Sequence, residues 1–195
     1  ASQIVCDKVK EKAKAIEERF HVPSYACMHE MMSNNEVDVV VILSESGLHS
    51  RHTIELAKYG AHIMVEKPMA LTLKDADEMI NACRSNNIKL FIIKQNRFNT
   101  PVVALRKALE KGRFGKLFMG TVRVRWCRTQ EYYDQDPWRG TWAQDGGVLT
   151  NQASHHLDLL EWMMGEVESV FAYSKKSLAK IEAEDTAAVL LKFKN

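Results

Sequence analysis

Cysteine is scarce and scattered. Cys6, Cys27, Cys83 and Cys127 are the only four in 195 residues, and no two form a CxxC pair. That spacing offers neither a zinc site nor a disulfide frame. Each thiol is therefore expected to be an idle or buried side chain, in a reducing and hence cytoplasmic compartment. Neither sign of charge dominates: 27 basic residues face 25 acidic ones, for a formal net charge of +2, with no basic block. Nucleic acid is not an expected partner of so balanced a chain. No apolar run is long enough to cross a bilayer and no signal peptide opens the sequence, so no membrane is expected either. Internal repeats and low-complexity segments are also lacking.

What is present is an alternation of strand and helix. Ser2 to Cys6 reads as a short strand ending at Asp7. A helix with Val9, Ala13, Ile16 and Phe20 on one face follows, stopped by Pro23. A short helix is expected over Glu30 to Ser33. Val37 to Leu43 is an almost unbroken β-branched run, as expected of a strand buried on both faces of a parallel sheet. His52 to Tyr59 reads as a helix with Gly60 just past its end. His62 to Val65 reads as another buried strand, running into Glu66-Lys67-Pro68. Thr72, with Asp75 three residues on, caps a helix to about Ser85, and Lys89 to Ile93 gives a further strand. Such alternation implies a parallel α/β sheet with right-handed crossovers.

The second half differs. Pro101 opens a helix that Gly112 closes. Leu117 to Arg128 alternates apolar and polar residues, which predicts one long strand wet on one face. Arg128 to Gly147 is an irregular aromatic loop, Thr150 to Met164 a helix ended by Gly165, and Val167 to Lys175 and Thr186 to Lys194 two strands. The expected fold is α/β. Residues 1–95 form a truncated Rossmann dinucleotide-binding domain, and residues 96–195 a substrate and oligomerisation domain with a largely antiparallel sheet. The first domain is expected to lack its first strand and glycine loop, since no G-x-G-x-x-G occurs, and the second to be incomplete at its C-terminus.

Four groups of residues could carry chemistry. Asp7 follows a strand, where an acid can hold ribose hydroxyls or simply cap a helix. Lys67 follows a buried strand, at the carboxyl edge where parallel sheets bind ligands. Desolvation there would lower its pKa from the usual ~10.4 towards that of a base, with a loop salt bridge as the plain alternative. Pro68 could lock that turn through a cis bond. Asn151, His155 and Asp158 share a helical face, which serves acid–base chemistry better than metal, because the adjacent His155 and His156 point apart. No metal is expected. Gln95-Asn96-Arg97-Phe98, and Trp138-Arg139 with Tyr132 and Tyr133, offer arginine for an anion and aromatics for a sugar ring, or else a loop anchored by its tryptophans.

Taken together, Val65-Glu66-Lys67-Pro68-Met69-Ala70 and Ser46-Gly47-Leu48-His49 resemble the signatures of the Gfo/Idh/MocA oxidoreductase family. More narrowly, five segments resemble the UDP-N-acetyl-glucosaminuronate 3-dehydrogenases of bacterial surface-polysaccharide (lipopolysaccharide) biosynthesis. These are Lys94 to Asn99, Trp138 to Trp142, Asp145-Gly146-Gly147, Asn151-Gln152-x-x-His155, and Ile181-Glu182-x-Glu184-Asp185-Thr186. The resemblance implies an NAD-dependent enzyme that oxidises C3 of a nucleotide-linked sugar, assembled as a homo-oligomer, dimer or tetramer. It implies Lys67 and His155 as the catalytic pair. Asp7, Ser44, His49, Glu66, Lys67, Gln95, Trp138 and Arg139 would lie at the cofactor, and Asn96, Arg97, Asn151 and Gln152 at the sugar. Asn151 stands where many members carry aspartate, Ser46 where asparagine is usual, Glu45 where proline is, and Ala153 where glycine is. The alternatives are an inositol or free-sugar dehydrogenase of the same family, or a non-catalytic dinucleotide-binding sensor. The joint presence of Lys67 and His155 weighs against the sensor.

Overall fold

The computed structural model describes residues 3–194, so the Ser2 start expected for the first strand lies outside it. Strand β1 (Val5–Cys6) leads into helix α1 (Lys10–Phe20), and β2 (Ser24–Tyr25) into α2 (Met28–Asn34). The two strands pair in parallel, with Cys6 beside Tyr25. Helix α1 buries less of its apolar face than the spacing predicts. Ala13 is buried, but Ile16 is 37% and Phe20 55% exposed, because the helix rests on two-residue strands that offer little apolar surface.

Strand β3 (Val39–Ile42), helix α3 (His49–Ala57), strand β4 (His62–Val65), helix α4 (Leu73–Ser85) and strand β5 (Leu90–Ile92) follow. The three strands form a parallel sheet in the order β3-β4-β5. Its register sets Ile42 beside Val65 and Val65 beside Ile92. All three strands therefore end level, and the segments after them (Ser44, Glu66-Lys67, Lys94-Gln95) emerge along one edge. Ile63 and Val65 of the central strand are fully buried against Leu56 and Ala57 of α3 and Met79 and Cys83 of α4. Each such aliphatic side chain contributes about 1.5–3 kcal/mol on burial.

The expectation that β3 is buried on both faces is corrected. Val40 and Ile42 are buried, whereas Val39 and Val41 are close to half exposed. Helix α3 packs on one face of β3 and β4, and the opposite face of β3 stays largely open among the described residues. The cap of α4 is as the sequence predicts. Thr72 Oγ1 accepts from the Asp75 amide at 3.1 Å and donates to Asp75 Oδ2 at 2.7 Å. Thr72→Ala is expected to cost about 1 kcal/mol, read as a fall of about 2–4 °C in Tm.

The second half holds helices α5 (Thr100–Glu110), α6 (Gln130–Asp134) and α7 (Ser154–Met164), then strands β6 (Val167–Lys175) and β7 (Thr186–Phe193), paired antiparallel. Pro101 lies in the first turn of α5. Gly112 and Gly165, at φ 68° and 95°, take positive-φ conformations just past α5 and α7 that favour glycine. The long strand expected over Leu117 to Arg128 does not form. A strand needs a neighbour to take its backbone hydrogen bonds, and none pairs with this segment among the described residues. Its apolar residues stay open, with Phe118 91% exposed and Trp126 50%. Helix α7 begins at Ser154 rather than Thr150, because residues 150–153 are turns. The chain is thus α/β, a Rossmann-type parallel unit followed by an antiparallel pair.

Candidate active site

The site lies where the edge beyond β4 meets the loop that leads into α7. Two backbone features bring that loop to the sheet. Gly47 N–H donates to the Gln144 carbonyl at 2.9 Å. Gly47 cannot carry a side chain, since a Cβ there would lie 2.3 Å from the Ala143 carbonyl oxygen. The loop is also stapled to residues further on. The Gly140 carbonyl accepts from the Glu182 and Ala183 amides, and the Glu184 carbonyl accepts from Val148 N–H at 2.8 Å.

Lys67 is half-buried at the level end of β4, beside a cis Lys67–Pro68 bond. Its Nζ donates to the Asn151 backbone oxygen at 3.0 Å and to Asn151 Oδ1 at 3.1 Å. Its own amide donates to Glu66 Oε2 at 2.9 Å. Burial pushes the Lys67 pKa down, aided by the charges of Lys94 and Arg128 and opposed by those of Glu66 and Asp145. Desolvation is the largest of these effects, since it penalises the ammonium directly. His155 is buried, and its Nδ1 has no partner. Burial also holds its imidazole below the usual range, and the charges on Lys67, Lys94 and His156 act in the same direction.

His49 is 1% exposed, with Nδ1 2.7 Å from the Pro68 carbonyl oxygen and Nε2 3.0 Å from that of Ser44. Its ring therefore ties the turn after β3 to the turn that carries Lys67. Ser44 Oγ lies 2.9 Å from His52 Nδ1. Gln152 is buried; its Oε1 accepts from Arg128, and its Nε2 donates to Asn151 Oδ1 and Tyr132 Oη. Arg139 donates to Asp136 and to Tyr132 Oη, and stacks on the Tyr132 and Trp138 rings.

Lys67, Glu66, Asn151, Gln152, Tyr132 and Arg139 thus form one connected network. Asp7, Gln95, Asn96 and Arg97 make no hydrogen bond into it among the described residues. Asp7 Oδ1 accepts the Val9 amide at 2.8 Å at the end of β1. Gln95 is exposed and Asn96 half-buried. Arg97 grips Asp158 with Nε and one terminal nitrogen, at 2.8 and 2.7 Å, and lies over the Trp162 ring. Asp158 is therefore an anchor for Arg97 and, at 3.7 Å, for Lys94. Among the described residues no cluster of three metal-ligating side chains exists.

Asp145 and Glu184, for which no role was expected from the sequence, are both buried acids. Asp145 Oδ2 accepts from Gly140 N–H at 2.7 Å, and Oδ1 accepts from Asn151 Nδ2. The available signal was an acid directly ahead of Gly146-Gly147 in a loop otherwise tied down by aromatics. Asp185, by contrast, is structural. Burial works against its charge, but the amides of Ala179, Leu178 and Ser177 and the Thr186 hydroxyl outweigh it and hold the pKa at about 2.

Residues 1–93 match the model of an oxidoreductase family's NAD-binding Rossmann fold, and residues 102–195 match the GFO/IDH/MocA C-terminal domain. Among solved structures, the WlbA dehydrogenase of Chromobacterium violaceum, in complex with NADH and UDP-GlcNAcA, superposes with a TM-score of 0.94 at 43% identity over 98% of this chain and 55% of that one. The WlbA dehydrogenase of Bordetella pertussis, with the same two ligands, gives 0.94 and 42% over 98% and 60%. Myo-inositol 2-dehydrogenase of Thermotoga maritima is 29% identical over 98% of this chain and 57% of its own length. The chain thus spans little more than half the length of these relatives.

Proposed function

Because this chain belongs to the GFO/IDH/MocA oxidoreductase family, we propose that the whole protein is an NAD-dependent dehydrogenase that oxidises the C3 hydroxyl of a UDP-linked N-acetyl-hexosaminuronate. The observation that carries this reading is the Lys67–Asn151 contact, which joins residues 84 apart in sequence. A neutral lysine amine has two N–H bonds and one lone pair. Both N–H bonds are taken by the two Asn151 oxygens, so the lone pair is left for a substrate proton. His155, whose imidazole burial holds below its usual range and whose Nδ1 has no partner in the structure, is the second member of the pair, receiving or relaying that proton. As the C3 hydroxyl gives up its proton to this pair, the C3 hydrogen leaves as hydride and a ketone remains.

NAD, when bound, supplies the hydride acceptor. Asp7 fits its adenosine end, since one carboxylate oxygen holds the Val9 amide and the other is left for a ribose hydroxyl. Ser44, His49, Glu66, Gln95, Trp138 and Arg139 would surround the rest. Asn96, Arg97, Asn151 and Gln152 would meet the sugar, with Arg97 using the nitrogen that Asp158 does not take. Residues 1–95 would then serve the cofactor and 96–195 the substrate and assembly. Val170, Phe171, Tyr173 and Leu190 on β6 and β7 are each more than 60% exposed, which supports a homo-oligomer formed through that sheet. Among the described residues no helix is long and apolar enough to cross a membrane.

The test is incubation of the full-length protein with NAD and UDP-GlcNAcA, following NADH absorbance and the mass of the sugar. NADH together with a sugar two mass units lighter is the expected result. Turnover of myo-inositol instead would replace the substrate class. NAD binding with no turnover of any sugar would favour the sensor.

A further inference from the structure

Asp145 is a carboxylate 3% exposed that makes no ion pair among the described residues. Burying a carboxylate without a cation beside it is costly, yet it is held here by only two donors, Gly140 N–H and Asn151 Nδ2. The second bond fixes more than Asp145 itself. A carboxylate can only accept a hydrogen bond, and the Gln152 Nε2 amide, which reaches Asn151 Oδ1, can only donate one. The Asn151 amide therefore has one permitted orientation, with NH2 towards Asp145 and oxygen towards Lys67.

We propose that Asp145 is a positioning residue for Lys67, acting through the Asn151 amide to keep an oxygen facing the lysine nitrogen and to place the compensating negative charge one residue removed from it. The chain therefore carries at position 145 a charge that direct contact would require at position 151. This inference rests on the proposed role of Lys67 as base. The charged or titratable groups acting on Lys67 are Glu66 beside it, Lys94 after β5, Arg128 ahead of α6, His155 on α7 and Asp145 itself. Tyr133 also feels Asp145. Of the two acids that favour the ammonium, only Asp145 reaches it through a hydrogen-bonded relay.

The experiment reads Lys67 directly in the full-length protein without substrate, as the pH dependence of its acetylation by acetic anhydride, located by mass spectrometry. Asp145→Asn removes the negative charge and frees the amide to turn, so the midpoint should move about one pH unit lower. The acid limb of kcat/KM should move with it, and kcat should fall about tenfold or more. The double variant Asp145→Asn/Asn151→Asp returns the charge to direct contact, and its midpoint should regain or exceed the wild-type value. A midpoint unchanged in Asp145→Asn overturns the proposal, as does a double variant that stays low. Should the single variant fail to fold, the double variant alone decides by the same criterion. If no sugar is oxidised, the labelling readout is unaffected, so failure of the functional reading and failure of this one are separable.

Discussion

Lys67→Ala in the full-length protein is expected to lower kcat for sugar oxidation by about 10²–10⁴-fold, the usual contribution of a positioned general base. The loss should appear in kcat more than in KM, since the proton moves only as the C–H bond breaks. The pH profile supplies a second check. Burial lowers the Lys67 pKa, so the neutral amine is populated at lower pH than in a solvated lysine. Activity of the wild type should therefore rise with pH through a midpoint below the usual ~10.4, and that limb should vanish in Lys67→Ala. Lys67→Arg should not restore the rate. A guanidinium keeps its proton throughout the accessible range and has no lone pair to offer. An alanine variant retaining more than about a tenth of wild-type kcat would remove Lys67 from the mechanism.

Gly147→Ala should give the largest loss of stability from a single methyl group in this region. A Cβ at position 147 would lie 1.8–2.1 Å from the carboxylate atoms of Glu184. Glu184 cannot swing away freely, for it is buried and its Oε1 accepts the Leu149 amide at 3.1 Å. Either that amide loses its partner or the backbone shifts. A cost of about 1–3 kcal/mol is expected from the overpacking, with Tm lower by about 2–12 °C. The Gly147 carbonyl also accepts from Asn151 N–H at 2.9 Å. A backbone shift would thus reach the residue that holds Lys67, and kcat should fall together with Tm. Shortening the partner, as Gly147→Ala/Glu184→Ala, should recover part of both. A single variant with wild-type Tm would show that the carboxylate moves without cost.

The sequence made the parallel sheet readable because each central strand is a short apolar run between a helix and a turn. His62–Val65 and Thr72 with its helix stand where the spacing puts them. Alternation over residues 117–128 misled for a physical reason: period-two patterning specifies a strand's faces, but pairing depends on a neighbour it does not specify. The same gap applies to β3, where a β-branched run implied two covered faces and, among the described residues, only one is covered. At the site, Lys67, Asn151 and His155 were legible as residue types in suggestive positions. The link from Asp145 through Asn151 was not. It depends on the orientation of one amide between two loops, and neither composition nor spacing encodes that orientation.

Lys67 and the two oxygens it donates to are 84 residues apart in sequence. During synthesis the lysine leaves the ribosome before Asn151 does, and until the two meet it lacks the acceptors that orient its nitrogen. The proposed base is assembled only when the segment around Asn151 packs against the turn that carries Lys67. A chain that stalls or folds halfway therefore holds an unoriented amine, and a lysine-directed reagent applied during refolding would time the moment at which the two segments meet.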